Sequence, residues 1–101
     1  MDNVKLRADE VPIRGWLEVV KCATIGFKKH GSGGFLKTTR RENFAAICRH
    51  LWKWWLGEDY DSEGFHHLAA VALRCIHEIE KLLLKVEEKQ FDKTQTQNTE
   101  T

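Results

Sequence analysis

Apolar residues recur at three- and four-residue spacings in three stretches of the chain, the period of helices with one buried side. The first stretch holds Trp16, Val19, Val20, Ala23 and Phe27. It opens near Pro12, whose fixed φ and missing N–H suit a first helical turn, and closes on Lys28, Lys29 and His30, cations well placed for a C-terminal dipole. Gly31-Ser32-Gly33-Gly34 then predicts a flexible connector, one that can close over a ligand but lacks the GxxxxGK[ST] spacing of a phosphate-cradling loop. The second stretch begins with the capping box Thr39-Arg40-Arg41-Glu42, carries the stripe Phe44, Ile47, Cys48, Leu51 and Trp55, and stops at Gly57. The third starts in the acid-rich turn Glu58–Glu63 and runs to about Phe91. Its expected buried face is Leu68, Val71, Ala72, Cys75, Ile76, Ile79, Leu82, Leu83 and Val86. No strand-like alternation and no repeat interrupts this pattern. The expected fold is all-α: a three-helix unit of short, medium and long helices in one domain over residues 1–91, with a disordered polar tail over 92–101.

The third helix is too long for a single copy. Nearly 30 residues at 1.5 Å each extend about 45 Å, whereas a 90-residue globule has a radius of gyration of about 12 Å. Its stripe continues past the reach of two shorter helices, so a second copy is expected to cover it in an oligomeric helical bundle. Trp52, Trp54 and Trp55 cannot share one helix face. Trp55 follows the apolar stripe and is expected in the core; Trp52 or Trp54 is expected against a neighbouring subunit or a ligand, with packing favoured over nucleobase stacking.

With 101 residues, the chain makes one small domain, and 42% hydrophobic with 31% charged residues excludes a wholly disordered one. No apolar run approaches the roughly 18–20 residues of a membrane span, and the first residues lack the apolar core of a secretory signal. Three cysteines, Cys22, Cys48 and Cys75, fit neither a disulfide framework nor a CxxC knuckle. Each is expected as a small buried residue of a reduced, cytoplasmic protein. The net charge of +1 divides into 11 basic against 7 acidic residues over 1–60 and 5 against 8 over 61–101. Neither half attracts a long nucleic acid by charge alone, but a small phosphorylated ligand needs only a few placed cations.

Chemistry gathers between Glu58 and His67, where Glu58, Asp59, Asp61, Glu63, His66 and His67 lie within ten residues. Carboxylates suit Mg²⁺ and Mn²⁺, and imidazole suits Mn²⁺ and later ions. Glu63 pairs by helical spacing with His67, or alternatively with His66. Arg74 follows His67 by two turns on the same face, and Arg49 and His50 near the end of the second helix can meet the cluster across the turn. Such a set suits cleavage of a phosphoanhydride. A simpler role competes: Asp59, Asp61 or Ser62 as helix cap, Glu63 for the first-turn dipole, and a histidine in the interior.

The order Arg49-His50-Leu51, Gly57-Glu58-Asp59-x-Asp61 and Glu63-Gly64-x-x-His67-Leu68-Ala69 resembles the phage-type dATP/dGTP diphosphohydrolase family in its N-terminal domain, with its RHL…GEDxDxESGxxHLAH pattern. Gly26-Phe27-Lys28-Lys29-His30-Gly31 resembles the GxxKY segment that precedes it. One residue is missing near Ser62, Ala70 stands at the second histidine of HLAH, and Arg74 stands where an asparagine often follows. The resemblance implies a relative of MazG-like all-α pyrophosphohydrolases: oligomeric, Mg²⁺-dependent (or Mn²⁺-dependent), splitting a nucleoside triphosphate, purine dNTPs above all, into monophosphate and pyrophosphate. The expected site then has Glu58, Asp61 and Glu63 on the metal, and Glu63, His67 and His50 in catalysis. Lys28, Lys29, Arg49 and Arg74 are expected on the phosphates. The alternative is a non-catalytic helical module of phage origin that binds a nucleotide or a host protein.

Overall fold

The computed structural model describes residues 4–99, with side chains through Gln90. It contains α1 (Ile13–His30), α2 (Arg40–Trp55) and α3 (His67–Thr99), with 3-10 turns at Ala8–Glu10 and Gly34–Lys37. An isolated antiparallel bridge, Tyr60 to His66, is the nearest thing to a strand among the described residues. The fold is all-α, and α3 is its spine: both α1 and α2 pack on it.

Local chemistry sets the helix ends. Pro12 caps α1 from outside, and the Gly31 N–H closes it on the Phe27 carbonyl at 2.8 Å. The glycine-rich connector is more ordered than expected. Gly33 takes a left-handed conformation (φ 74°), and the turn after it lays Phe35 on His77 of α3, rings stacked 4.6 Å apart. Thr39 Oγ1 accepts the Glu42 N–H at 3.1 Å, as the capping box requires. Gly57, at φ 102°, ends the turn that follows α2.

α3 begins at His67, later than the acidic turn where the sequence places its start. The acids there are used by the turn itself. Asp61 Oδ1 accepts the Glu63 N–H at 2.9 Å, Gly64 turns the chain at φ 96°, and the Asp61 N–H donates to the Phe65 carbonyl at 2.8 Å. His66 caps the helix, its Nδ1 accepting the Leu68 N–H at 3.0 Å. At the other end the helix continues past Phe91 to Thr99, with no glycine or proline to stop it. Residues 100–101 of the expected tail lie outside the described residues.

The packing reverses the expected orientation of the helices. The core is small: Val19, Cys22, Ala69 and Ala70, with Phe65, Ala72 and Leu73 packed against it. The largest fully buried side chains are polar, His67 and Asn43. α2 turns Asn43, Ala46, His50 and Trp54 inward, while Phe44, Leu51 and Trp55 of its apolar stripe are exposed. Trp55 is 73% exposed and is therefore no core residue. Trp16, Val20 and Phe27 of α1 also face outward, as do Ile76, Ile79, Leu82, Leu83 and Val86 of α3. Of the cysteines only Cys22 is buried; Cys48 and Cys75 are exposed. The reason is steric and electrostatic. α1 approaches α3 through small residues, α2 approaches it through hydrogen-bonding ones, and the bulky stripes are left on the outside. The result is elongated, 61 × 33 × 24 Å, with a radius of gyration of 17.5 Å against about 13 Å for a compact chain of this length.

The cap gives a direct check on helix energetics. Thr39→Ala removes the acceptor for the Glu42 N–H and should cost about 1 kcal/mol, a fall of roughly 4–8 °C in melting temperature for a domain of this size. Thermal unfolding followed by circular dichroism measures it.

Candidate functional site

The turn between α2 and α3 folds back so that its acids meet histidines from both helices. The His67 N–H donates to the Asp59 carbonyl at 2.9 Å, fixing the first residue of α3 under the turn. The His67 ring is fully buried, with both nitrogens engaged. Nε2 lies 2.6 Å from Glu58 Oε2, and Nδ1 lies 2.8 Å from Nδ1 of His50 on α2. The His67 Nε2–H donates to the Glu58 carboxylate, so His67 Nδ1 presents its lone pair and accepts from the His50 Nδ1–H. Phe65 packs edge-on against His50 at 5.7 Å. One donor atom from each of His50, Asp61 and His67 lies within 4.8 Å of the others. Burial pushes the His50 imidazole below its ordinary pKa, and His67 and Arg74 push it further the same way. His50 is therefore neutral at pH 7, the form that coordinates metal.

A second polar chain runs along the same helix contact. Asn43, almost fully buried, accepts a hydrogen bond from Arg74 Nη1 at 2.7 Å and donates to Glu78. Glu78 pairs with Lys81, and Lys81 Nζ donates to the Thr38 carbonyl at 2.6 Å. Lys81, then Asn43, holds the Glu78 carboxyl below its usual range. Arg74, thus anchored, borders with Arg49 a groove of about 350 Å³ between α2 and α3, lined also by Thr38, Glu42, Ala45 and Ala46.

The expected site residues separate into three groups. His50, Asp61 and His67 converge, with Glu58 behind His67. Arg49 and Arg74 converge in the adjoining groove. Glu63 is drawn to Lys29 of α1 in an ion pair rather than into the histidine cluster. Lys28 is exposed and pairs with no acid among the described residues. His66 faces Tyr60, ring to ring at 5.1 Å, so His67 is the histidine of the cluster. Asn43 escaped the sequence reading. Its signal is position: it lies two turns before His50 on the same side of α2.

The model of one protein family, dATP/dGTP diphosphohydrolase, N-terminal, matches residues 1–93. The chain belongs to this family. The match takes in all of α1 and α2, the turn, both histidines and both arginines of the groove. No curated protein and no solved structure matches the chain. Membership fixes a relation to a nucleotide diphosphohydrolase through its N-terminal domain, and no helix of the described residues is long and apolar enough to cross a membrane.

Two half-buried histidines, His50 and His77, make stability depend on pH. Burial lowers both His50 and His77. The unfolded chain, with histidines near pKa 6.5, therefore takes up protons first as pH falls. Their contribution is complete above about pH 6.5 and is lost progressively below it. Melting temperature should fall from pH 7 to 5.5, and His50→Gln should flatten that fall. Glu78 acts in a separate, more acidic window, because its carboxyl is lowered and its contribution is lost below about pH 4.5.

Proposed function

We propose that the chain is a metal-dependent (deoxy)nucleoside triphosphate diphosphohydrolase, forming dNMP and pyrophosphate, with purine dNTPs preferred. The observation that carries this reading is the convergence of His50, Asp61 and His67 beside the groove of Arg49 and Arg74, in a chain of the dATP/dGTP diphosphohydrolase N-terminal family. A divalent cation at the cluster supplies charge neutralisation and an acidified water when bound. His50, His67 and Asp61 are the residues to hold it, and Glu58 keeps His67 in the required tautomer. Arg74, fixed by Asn43, and Arg49 bind the phosphate chain by charge-assisted hydrogen bonds. Glu63, its N–H tethered to Asp61 and one carboxylate oxygen paired with Lys29, accepts the proton of the attacking water through its other oxygen at the rim of the site. Water adds to the α-phosphorus, the α–β anhydride bond breaks, and pyrophosphate leaves.

The working form is a homo-oligomer. On the outer side of α3, Ile76, Ile79, Leu83 and Val86 alternate three and four residues apart, the seam spacing of packed helices. A single copy buries too little apolar surface for an elongated chain of this size. The same face of a second copy is self-complementary and makes a closed two-fold contact. Free thiols at Cys48 and Cys75, exposed as they are, suit a reducing cytoplasm.

Incubating the protein with each dNTP and Mg²⁺ or Mn²⁺ should release pyrophosphate and monophosphate in equal amounts. Glu63→Gln should lower kcat at least about a hundredfold while nucleotide affinity persists. Arg74→Ala should instead weaken triphosphate binding more than monophosphate binding. Tight nucleotide binding with no pyrophosphate under either metal replaces the hydrolase by a nucleotide-binding module. Light scattering should give at least twice the 11.8 kDa chain mass, and Ile79→Glu with Leu83→Glu should return it to the monomer.

A further inference from the structure

The donors in the cluster point to the kind of ion it takes. Mg²⁺ favours an octahedron of oxygens and keeps several waters. Imidazole nitrogen favours the later first-row ions, whose affinity rises from Mn²⁺ through Co²⁺ and is also high for Zn²⁺. Here the carboxylates that would make an oxygen-rich site are already engaged: Glu58 with His67 and Glu63 with Lys29. Two imidazoles and Asp61 remain. We propose that His50 Nδ1, His67 Nδ1 and one Asp61 oxygen form a three-ligand site for a late first-row divalent ion (Co²⁺ or Zn²⁺) in preference to Mg²⁺, with Glu58 as the positioning carboxylate. This rests on the reading of the cluster as the metal centre of the hydrolase.

Geometry and donor chemistry support the assignment. The 2.8 Å between the two Nδ1 atoms is close to the roughly 3.0 Å expected for nitrogens at right angles, each about 2.1 Å from one ion. The hydrogen between the rings has a place to go, because His50 can carry its proton on Nε2 and present Nδ1 to the ion. Glu58 on His67 Nε2 is the carboxylate–histidine–metal arrangement that fixes ring orientation and raises ligand basicity. Asp61 is held by its own turn, with Oδ1 accepting the Glu63 N–H, and Oδ2 has no protein donor among the described residues. One turn past His67, Ala70 offers only a methyl group to the core. Three protein ligands leave coordination positions for water and phosphate oxygens, as in catalytic rather than structural metal sites.

The test uses the full chain with metal ions alone, so that its readout is independent of turnover. Co²⁺ should give visible absorption bands, and Co²⁺ and Zn²⁺ should raise the melting temperature where Mg²⁺ at the same concentration does not. Asp61→Asn and His50→Gln, both at half-buried positions, should each lower Co²⁺ affinity at least tenfold and alter the bands. Glu58→Gln, which leaves all three ligands in place, should lower affinity about 10–100-fold while the bands keep their shape. A melting-temperature rise with Mg²⁺ as large as that with Co²⁺ overturns the proposal, as does Co²⁺ binding indifferent to Asp61→Asn and His50→Gln. The two readings fail separately. Co²⁺ bound as described without pyrophosphate release under any metal leaves the metal site and removes the hydrolase. Pyrophosphate release with Mg²⁺ from a protein that does not bind Co²⁺ keeps the hydrolase and removes this site.

Discussion

α2 and α3 meet through hydrogen bonds at the place where helix pairs more often meet through apolar ridges. Asn43 stands between Arg74 and Glu78, Glu78 is held by Lys81, and Lys81 reaches back to the Thr38 carbonyl. Two turns along, His50 and His67 face each other with Glu58 behind. Burying such groups is costly unless every one is satisfied, and a half-satisfied network is worse than an apolar contact. The partners form two sets along one helix contact, so sliding one helix past the other by a single turn would break most of both. What the contact provides is therefore register more than net stability. That register puts the histidine cluster and the Arg74 guanidinium on one side of α3, seven residues or about 10 Å apart along its axis.

A polar inner face has a consequence for the rest of the surface. With hydrogen-bonding groups between α2 and α3 and small residues between α1 and α3, the large apolar side chains have no room inside. They line the outside of all three helices, from Trp16 and Phe27 through Phe44 and Trp55 to Ile79 and Leu83. α3 has two working faces, one that builds the site and one that carries an apolar seam. The same geometry that makes the chemistry leaves the single copy short of core, which ties the proposed assembly to the proposed site through one cause.

Much of this could be read from the residues, and the limits of that reading have physical reasons. The capping box at Thr39, the stop at Gly57 and the three helices follow from local chemistry, and local chemistry is written in neighbouring residues. The candidate site is legible as a set: His50, Glu58, Asp61, His67 and Arg74 all lie where acids, histidines and cations concentrate. Its internal pairing is not. Spacing allows His66 or His67 to face Glu63 equally well; the choice is made by Gly64 and the Tyr60–His66 bridge, which delay the helix until His67 and turn His66 into its cap. The Glu63 partner, Lys29, is 34 residues away on another helix, beyond any local pattern. The outward stripes were misread for a related reason. Periodicity reports that a helix has an apolar side, and it is silent on whether that side meets the same chain or another copy.

Ala70 connects the two helix contacts. In the family pattern that the chain resembles, a histidine stands at this position, one turn beyond His67. Here the residue is nearly fully buried, in a cluster with Val19 and Cys22 of α1 and Ala69 beside it. A methyl group lets α1 come close to α3, and an imidazole in that place would have to displace side chains from a closely packed contact. The approach of α1 is also what brings Lys29 to Glu63, securing the outer side of the acidic turn. Thus a position that offers no donor atom still shapes the candidate site, through the packing that fixes the turn carrying Asp61. The three donors that remain come from α2, the turn and α3, one from each, and all three segments are held by contacts that do not involve a metal.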